Sequence, residues 1–471
     1  MMIIILYILG FAIFVYFIGL CLISLLLVLL GALQIRKYNQ EITVAEFDQI
    51  AQSDLTTPVS VIVPAFNEAA IIVSTVENVL KLNYPTHEVI VVDDGSTDNT
   101  IEVLRQRFNI QQLEKQGDTQ LETNPVKAVY ESADYPNLVV VSKENGQRAD
   151  AINAAVNVSR YPLLCVIDAD CVMDPDGLLH MVRPFLLDPN VAASSGVVRP
   201  SNGLVMKKGE IVARGLPQTW IGLNQEVEYA RSFQWARNGL NRLHSMLCIS
   251  GALLLIKKDV LKEVGGPWPN AITDDIEFTM RLHAYIFDRR NEKDLKIAFT
   301  PDAVCYTEVP EKISQYLPQR NRWQRGTLQA VFRNWRMIFN PRYGATGLFG
   351  MPYFLFFEAL APIVEVTAIT LAVVFLLMGV TTVKEILILV FLAYSVNVFL
   401  TLLTIYISER STQRSTTWKD YWKAVTAIFA DGLGWHHLRV FVSFVATFEY
   451  FILRRCDLGA PMERKVASPP A

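Results

Sequence analysis

Leu163-Leu164-Cys165-Val166-Ile167-Asp168-Ala169-Asp170 reads as a buried strand that runs out into two carboxylates one residue apart. Alternate residues of an extended chain point the same way, so Asp168 and Asp170 can aim at one spot. Two converging hard oxygen anions suit a Mg²⁺ or Mn²⁺ that carries phosphate oxygens. In an open α/β sheet, ligands bind outside the carboxyl ends of the strands, where this pair falls. Taken alone, the pair also fits a solvated strand-end turn, and a second turn, Asp174-Pro175-Asp176-Gly177, comes soon after it. The surrounding sequence decides between the two.

From about Pro58 to Tyr306, strand and helix patterns alternate. Val59–Pro64, Glu88–Asp93, Leu138–Ser142 and Leu163–Asp168 read as strands; Glu68–Leu82, Thr100–Phe108 and Ala149–Ser159 carry helical patterns. That order predicts a mostly parallel sheet covered on both faces. Gln111–Asp134 is polar and irregular and reads as a surface excursion. The first strand ends in Pro64-Ala65-Phe66-Asn67-Glu68 and the second in Val92-Asp93-Asp94-Gly95-Ser96-Thr97-Asp98, both on the sheet edge that carries Asp168 and Asp170. Asp98 reads as a helix cap. Asp94 is not needed for capping, so it is expected to accept hydrogen bonds from a base edge or a ribose hydroxyl.

Three further stretches carry charge. Lys143-Glu144-Asn145-Gly146-Gln147-Arg148 opens a helix and offers a cation to nucleotide phosphate. Thr273-Asp274-Asp275-Ile276-Glu277 opens another, with Thr273 as N-cap and acids suited to the helix dipole; capping alone does not call for three acids in four residues. Gln319-Arg320-Asn321-Arg322-Trp323 lies on an amphipathic, basic helix that also suits a membrane surface.

The chain has 471 residues, 51% of them hydrophobic and 19% charged, a mixture that fits a soluble domain joined to membrane segments. A net charge of −3 argues against nucleic acid as a partner. Cys21, Cys165, Cys171, Cys248, Cys305 and Cys456 show no C-x-x-C pairing, so neither a zinc site nor a disulfide framework is expected, and a reducing compartment is. Met1–Leu33 lacks any charge and Arg36-Lys37 comes directly after, which predicts a retained transmembrane helix (residues 1–35) leading into a cytoplasmic domain. A second membrane region is expected over 349–455, with spans at Gly350–Val380, Ile386–Ile407 and Val440–Leu453, a re-entrant piece before the last, and a loop at Ser408–Lys419. The expected organisation is then a catalytic domain over 55–310, an interfacial helix over 311–345, and a tail over 456–471.

The ordered set V-I-V-P-A-F-N-E, V-D-D-G-S-T-D, K-E-N-G-Q-R-A-D-A-I-N, D-A-D, T-D-D and Q-R-N-R-W resembles the membrane-bound family 2 glycosyltransferases, among them the cellulose, chitin, hyaluronan and poly-N-acetylglucosamine synthases. The resemblance runs from about Val59 to Trp323. It implies an α/β fold, a GT-A type nucleotide-sugar domain flanked by transmembrane helices. It also implies an inverting transfer of a hexose or N-acetylhexosamine from a UDP-sugar to a growing polysaccharide at the plasma (inner) membrane, with Mg²⁺ or Mn²⁺ as cofactor and a carbohydrate or lipid acceptor as partner. A single-transfer enzyme and a non-catalytic membrane scaffold are the alternatives. By the same resemblance Pro64, Glu68 and Asp94 line the nucleoside end, and Arg148 and Asp168 meet the donor. Asp168 and Asp170 hold the metal, and Asp275 is the general base. Asp274, Gln319, Arg322 and Trp323 serve the pyrophosphate and the acceptor sugar.

The chain departs from the family pattern in three places. The usual K-x-N-G-G-K reads Lys143 to Arg148 with Gln147 for the second glycine. The usual T-E-D has Asp274 at its middle position, one methylene shorter. The F-F-C-G-S/T acceptor motif is faint, as Met246-Leu247-Cys248-Ile249-Ser250-Gly251-Ala252.

Overall fold

The computed structural model describes residues 2–44, 56–113, 120–290, 294–411 and 418–457. The strands in chain order are β1 (Val59–Ala65), β2 (His87–Asp93), β3 (Ile110–Gln112), β4 (Val126–Ser132), β5 (Leu138–Lys143), β6 (Leu163–Val166), β7 (Cys171–Met173), β8 (Val191–Pro200), β9 (Leu204–Lys207), β10 (Glu210–Arg214), β11 (Leu254–Lys257) and β12 (Lys296–Thr307). Ten of them form one sheet in the order β3-β4-β5-β2-β1-β6-β11-β8-β12-β7, and β9 and β10 pair as a hairpin.

β1, β2 and β6 are buried along their whole length, and with β5 they make the parallel centre of the sheet, as their continuous apolar runs predict. β8 and β12 are parallel to each other, and the antiparallel β11 separates them from the central block. Pro64 sits inside β1 without breaking the ladder. Ile167 N donates to Ile62 O on the β6 side (3.0 Å), and alternate residues face the same neighbour. Pairing with β6 ends at Ile62–Val166, so the missing N–H of Pro64 falls where no ladder bond is made.

The helices include α1 (Met2–Val44), α2 (Ile72–Leu80), α3 (Thr100–Phe108), α4 (Gln147–Val158), α5 (Gly177–Leu187), α6 (Trp220–Ala230), α7 (Lys258–Val264), α8 (Asp274–Asp288), α9 (Ile313–Arg333), α10 (Ala361–Leu377), α11 (Val383–Ser411), α12 (Trp418–Ala430) and α13 (His436–Phe451). α2 begins later than its apolar pattern suggests. Asn67 is held at φ 57°, its side chain accepting from Thr97 N at 2.8 Å, which keeps the preceding loop out of the helix. The expected excursion over Gln111–Asp134 is instead partly sheet: β3 and β4 pair antiparallel and extend the edge beyond β5, while 114–119 lie outside the described residues. β4 alternates only weakly between buried and open positions, so its period-2 signal is faint.

The described residues divide into two compact units. One comprises Lys37–Gln218 and Met246–Val309 and contains both sheets; the other comprises Met1–Arg36, Thr219–Ser245 and the chain from Pro310. The expected continuous domain over 55–310 is thus interrupted: Thr219–Ser245 belongs with the apolar helices. In the sheet unit, Arg183 Nη1 donates to Tyr38 Oη (2.5 Å) and to Asp302 Oδ2 (2.8 Å), and Tyr38 also donates to Asp302. That cluster anchors the last turns of α1.

Among the described residues, two helices are long and apolar enough to cross a membrane, Ile3–Gln40 and Val383–Thr404, and a pair bent by 48°, Thr346–Ala359 with Ala361–Leu377, makes up to three. The expected third span over Val440–Leu453 falls in α13 as far as Phe451, and among the described residues that helix is not one of those long and apolar enough to cross. The expected loop at Ser408–Lys419 is helical as far as Ser411; 412–417, and the tail from 458, lie outside the described residues.

Candidate active site

Asp168 and Asp170 occupy the turn between β6 and β7, at the carboxyl edge of the parallel strands. The turn closes through Cys171 N to Asp168 O (3.0 Å). α2 clamps it from one side: Thr75 Oγ1 donates to Ala169 O at 2.6 Å, and Asn78 exchanges two bonds with Met173, at 2.8 and 3.1 Å. Thr75 and Asn78 escaped the sequence reading. Their signal was two polar residues three apart on the apolar face of a helix, where only a specific partner makes burial tolerable.

Asp168, Asp170 and Cys171 each bring one ligand atom to within 4.8 Å of the others. Burial, with the neighbouring Cys305 thiol, pushes the Cys171 thiol well above its usual range. The two carboxylates are the hard oxygen donors of the three, and hard oxygens fit Mg²⁺ or Mn²⁺.

Arg148, in the first turn of α4, joins these carboxylates to the Thr273-Asp274-Asp275 segment. Its Nε donates to Asp168 Oδ1 at 2.7 Å, Nη1 donates to Asp274 Oδ2, and Nη2 donates to the Gly251 carbonyl at 2.6 Å. Burial opposes its charge, but Asp168 and Asp274 outweigh that and hold the guanidinium protonated. Asp275 lies next to this cluster: its Oδ2 accepts from Gly251 N at 3.2 Å and its Oδ1 from Ile276 N at 2.9 Å. Burial, then the adjacent Asp274, raises the Asp275 carboxyl above the ordinary carboxylate value, which suits it to take up a proton. The Met246–Ala252 stretch reaches this cluster through Gly251, which touches both Arg148 and Asp275. Thr273 takes the N-cap position, but its hydroxyl makes no cap bond and is buried without a partner.

Other expected site residues stand elsewhere. Asp94 is 2% exposed; its Oδ1 accepts from Lys143 Nζ (2.8 Å) and Gly146 N (3.0 Å). Burial raises its carboxyl and those two partners offset part of the rise. This differs from the ligand-facing carboxylate expected there. Lys143 is fully buried and also pairs with Asp150 at 2.5 Å, so Arg148, not Lys143, is the cation of this segment that reaches Asp168. A lysine ending the apolar run Val139-Val140-Val141-Ser142 was the available signal, since lysine is fully buried almost only when paired. Gly95 permits the close packing: it lies at φ +71°, and a Cβ would stand 2.7 Å from Asn145 N. Gln147, where the family has glycine, adopts φ 72°. Glu68 is buried in the loop after β1, its N–H donating to Thr100 Oγ1 at 3.0 Å; Asp98 accepts from Thr100 N at 3.0 Å, but the N-cap position expected for it is taken by Asn99. Gln319, Arg322 and Trp323 lie on α9, in the unit of apolar helices.

The chain matches the models for "Glycosyl transferase family 2" over residues 60–265 and "Glycosyl transferase family group 2" over residues 163–407, the latter more than half of its length. It belongs to the family 2 glycosyltransferases. It is 28% identical over 343 residues to a poly-β-1,6-N-acetyl-D-glucosamine synthase of Staphylococcus epidermidis, covering 72% of this chain and 69% of that one. Identity to the synthase of the same name from Staphylococcus aureus strain COL is 26% over 276 residues, 59% and 56% of the two chains. Among solved structures, the mannosyltransferase PcManGT of Pyrobaculum calidifontis, in complex with GDP-Man and Mn²⁺, superposes with a TM-score of 0.50 at 19% identity, covering 87% of this chain and 99% of that one. That likeness is one of fold, and the fold is the expected GT-A type.

The buried triplet of Lys143 with Asp94 and Asp150 gives a stability test. Lys143→Met would leave two carboxylates buried without their cation and should cost about 3–5 kcal/mol. Thermal unfolding of the detergent-solubilised protein reads this directly; an unchanged midpoint would show that those carboxylates do not depend on the lysine.

Proposed function

We propose that this glycosyltransferase extends a polysaccharide at the membrane, taking a hexose or N-acetylhexosamine from a UDP-sugar and inverting the anomeric centre. The observation that carries this reading is the cluster around Arg148: two carboxylates fit for a divalent ion and, beside them, a third whose pKa is raised. The relatives named as poly-β-1,6-N-acetyl-D-glucosamine synthases support N-acetylglucosamine as the unit transferred.

In this mechanism an acceptor hydroxyl attacks the anomeric carbon as the bond to the nucleoside diphosphate breaks. Asp275 takes the hydroxyl proton, and the bond electrons leave with the diphosphate. Mg²⁺ or Mn²⁺ on Asp168 and Asp170 would neutralise diphosphate oxygens. Arg148 and Arg322 add positive charge where negative charge grows in the transition state. Asp94, through its bonds to the Gly95–Gly146 region, shapes the floor of the nucleoside end, which Pro64 and Glu68 border. Gln319 and Trp323 offer an amide and a flat apolar face to the acceptor sugar, and Asp274 orients Arg148. Basic residues after the first span favour a plasma-membrane protein with its catalytic unit in the cytoplasm.

The overall reading is tested by supplying the purified enzyme with a panel of radiolabelled nucleotide sugars and sizing the product. Polymer from UDP-N-acetylglucosamine is expected; transfer of one sugar only would replace the polymerase reading by the single-transfer one. Chelator should silence the enzyme, Mg²⁺ or Mn²⁺ should restore it, and Asp170→Asn should abolish transfer in a folded protein. Full activity in excess chelator would remove the metal.

Orientation is read by placing a cysteine at Gln116 in intact cells. An impermeant thiol reagent should leave it unlabelled, and ready labelling would invert the topology.

Asp275→Asn should keep donor affinity and lose transfer by about 10²–10⁴-fold, the worth of a positioned base; Asp274→Asn should cost much less. A base works only when ionised, so the wild-type rate should fall as pH drops through the raised Asp275 value. Asp274→Asn removes a repelling charge and should move that acidic limb to lower pH. Calorimetry with the donor beside rate–pH profiles decides; wild-type rates in Asp275→Asn would reassign the base.

A further inference from the structure

Arg320, between two residues of the Gln319–Trp323 motif, makes the contacts that fix the motif's shape. Its side chain is 4% exposed. Its guanidinium carbon lies 4.0 Å from the centre of the Trp323 ring and 4.5 Å from that of Tyr316, three residues on and four residues back along α9. Nη1 donates to Gln319 Oε1 at 2.6 Å. One buried cation thus touches two of the three residues that the proposed function assigns to acceptor and pyrophosphate.

The groups that fix Arg320 come from α6. Nη2 donates to Glu228 Oε2 at 2.9 Å and to Gln225 Oε1 at 3.3 Å. Gln225 is itself tied down, its Nε2 donating to the Pro310 carbonyl at 2.8 Å. Tyr229, next to Glu228, brings its ring to 6.5 Å from Trp323. Glu228 also faces Arg439 Nη1 at 3.5 Å. An arginine plane is a rigid fork: with Nη1 committed to Gln319 and Nη2 to Glu228 and Gln225, the tilt of its face is set, and the ring it stacks on is set with it.

We infer that Glu228 is a positioning residue for sugar transfer: through Arg320 it orients Trp323 and Gln319 toward the acceptor. This rests on the reading of Trp323 as the acceptor platform. Glu228 stands outside every motif that carries the family resemblance, 92 residues before the arginine it acts on, in a stretch that the sequence alone assigns to the sheet domain.

The test uses the full-length enzyme in detergent, with UDP-N-acetylglucosamine as donor and an N-acetylglucosamine oligomer as acceptor. Glu228→Gln should leave the affinity for UDP, read by calorimetry, unchanged, while the acceptor KM rises and kcat falls, together by about 10²-fold, the scale of a misplaced reacting group. Arg320→Lys keeps the charge beside Glu228 but removes the flat face, so it should reproduce that loss in a protein whose ion pairs persist; it serves also if Glu228→Gln folds poorly. In an Arg320→Met background, Glu228→Gln should add little, because both changes break one line of action. Equal losses in the two backgrounds would show that Glu228 acts through Arg439 or through stability, and would overturn the inference. A silent Glu228→Gln beside a crippling Trp323→Ala would overturn it as well while sparing the function proposed for Trp323. A silent Trp323→Ala would instead bring down the acceptor platform itself.

Discussion

One guanidinium organises the carboxyl edge of the sheet. Arg148 holds Asp168 from the turn after β6, Asp274 from the start of α8 and the Gly251 carbonyl from the approach to β11, while its own backbone starts α4. The outermost of these partners, Arg148 and Asp274, are 126 positions apart in the chain. The segments converge because three directions of a planar fork are filled at once. A lysine in this place would offer a point charge without that planar geometry. The middle acid of the T-D-D triplet is the short aspartate, and the cation that meets it is forked.

Beneath this contact lies a second layer of buried charge. Lys143 neutralises Asp94 and Asp150 in a place without solvent, and the bonds that Gly146 N donates to Asp94 Oδ1 and Asn145 Nδ2 donates to Asp94 O (2.8 Å) lock the loop after β2 to the start of α4. On the other flank, Thr75 and Asn78 hold the Asp168–Asp170 turn to α2. Removing one partner of a buried ion pair is costly because the other stays buried and charged. The loops at this edge are consequently held from below, and the carboxylates above them keep their spacing without depending on one another for it. Repulsion between Asp168 and Asp170 is tolerable for the same reason: bonds outside the pair stabilise the turn.

Much of this was legible in the chain because the central strands announce themselves. β1, β2, β5 and β6 are short, apolar and β-branched, and parallel order places all their carboxyl ends on one side, so the Asp168–Asp170 pair and the loops after β1 and β2 had to share an edge. Other features had no such signature. β3 is a three-residue edge strand with two exposed glutamines, too short and polar to show a period of two. Lys143 reads as a surface cation until its two carboxylates are brought beneath it by folding. Asp94 reads as a ligand until the same lysine claims it. The assignment of Thr219–Ser245 to the unit of apolar helices rests on what Glu228 and Arg231 pair with, and those partners lie 92 and 200 residues further along.

That second unit follows the same electrostatic rule in drier surroundings. Arg231 donates to Asp431 Oδ2 at 2.7 Å and to Asn397 at 3.1 Å, and His436 and Glu365 meet at 2.8 Å. Arg231 and Asp431 each open a π-helical segment, Arg231–Arg237 and Asp431–Trp435. A π-bulge inserts a residue into a helical turn and rotates the remainder of the helix about its axis, a device found often at functional sites. Away from water an unpaired charge is far costlier than a distorted turn, so helices carrying such residues are driven to whatever register lets the charges meet. The same pairing that satisfies Arg231 fixes the rotation of α6 about its axis. It thereby fixes the direction in which Gln225 and Glu228, within the two preceding turns, present their oxygens to Arg320.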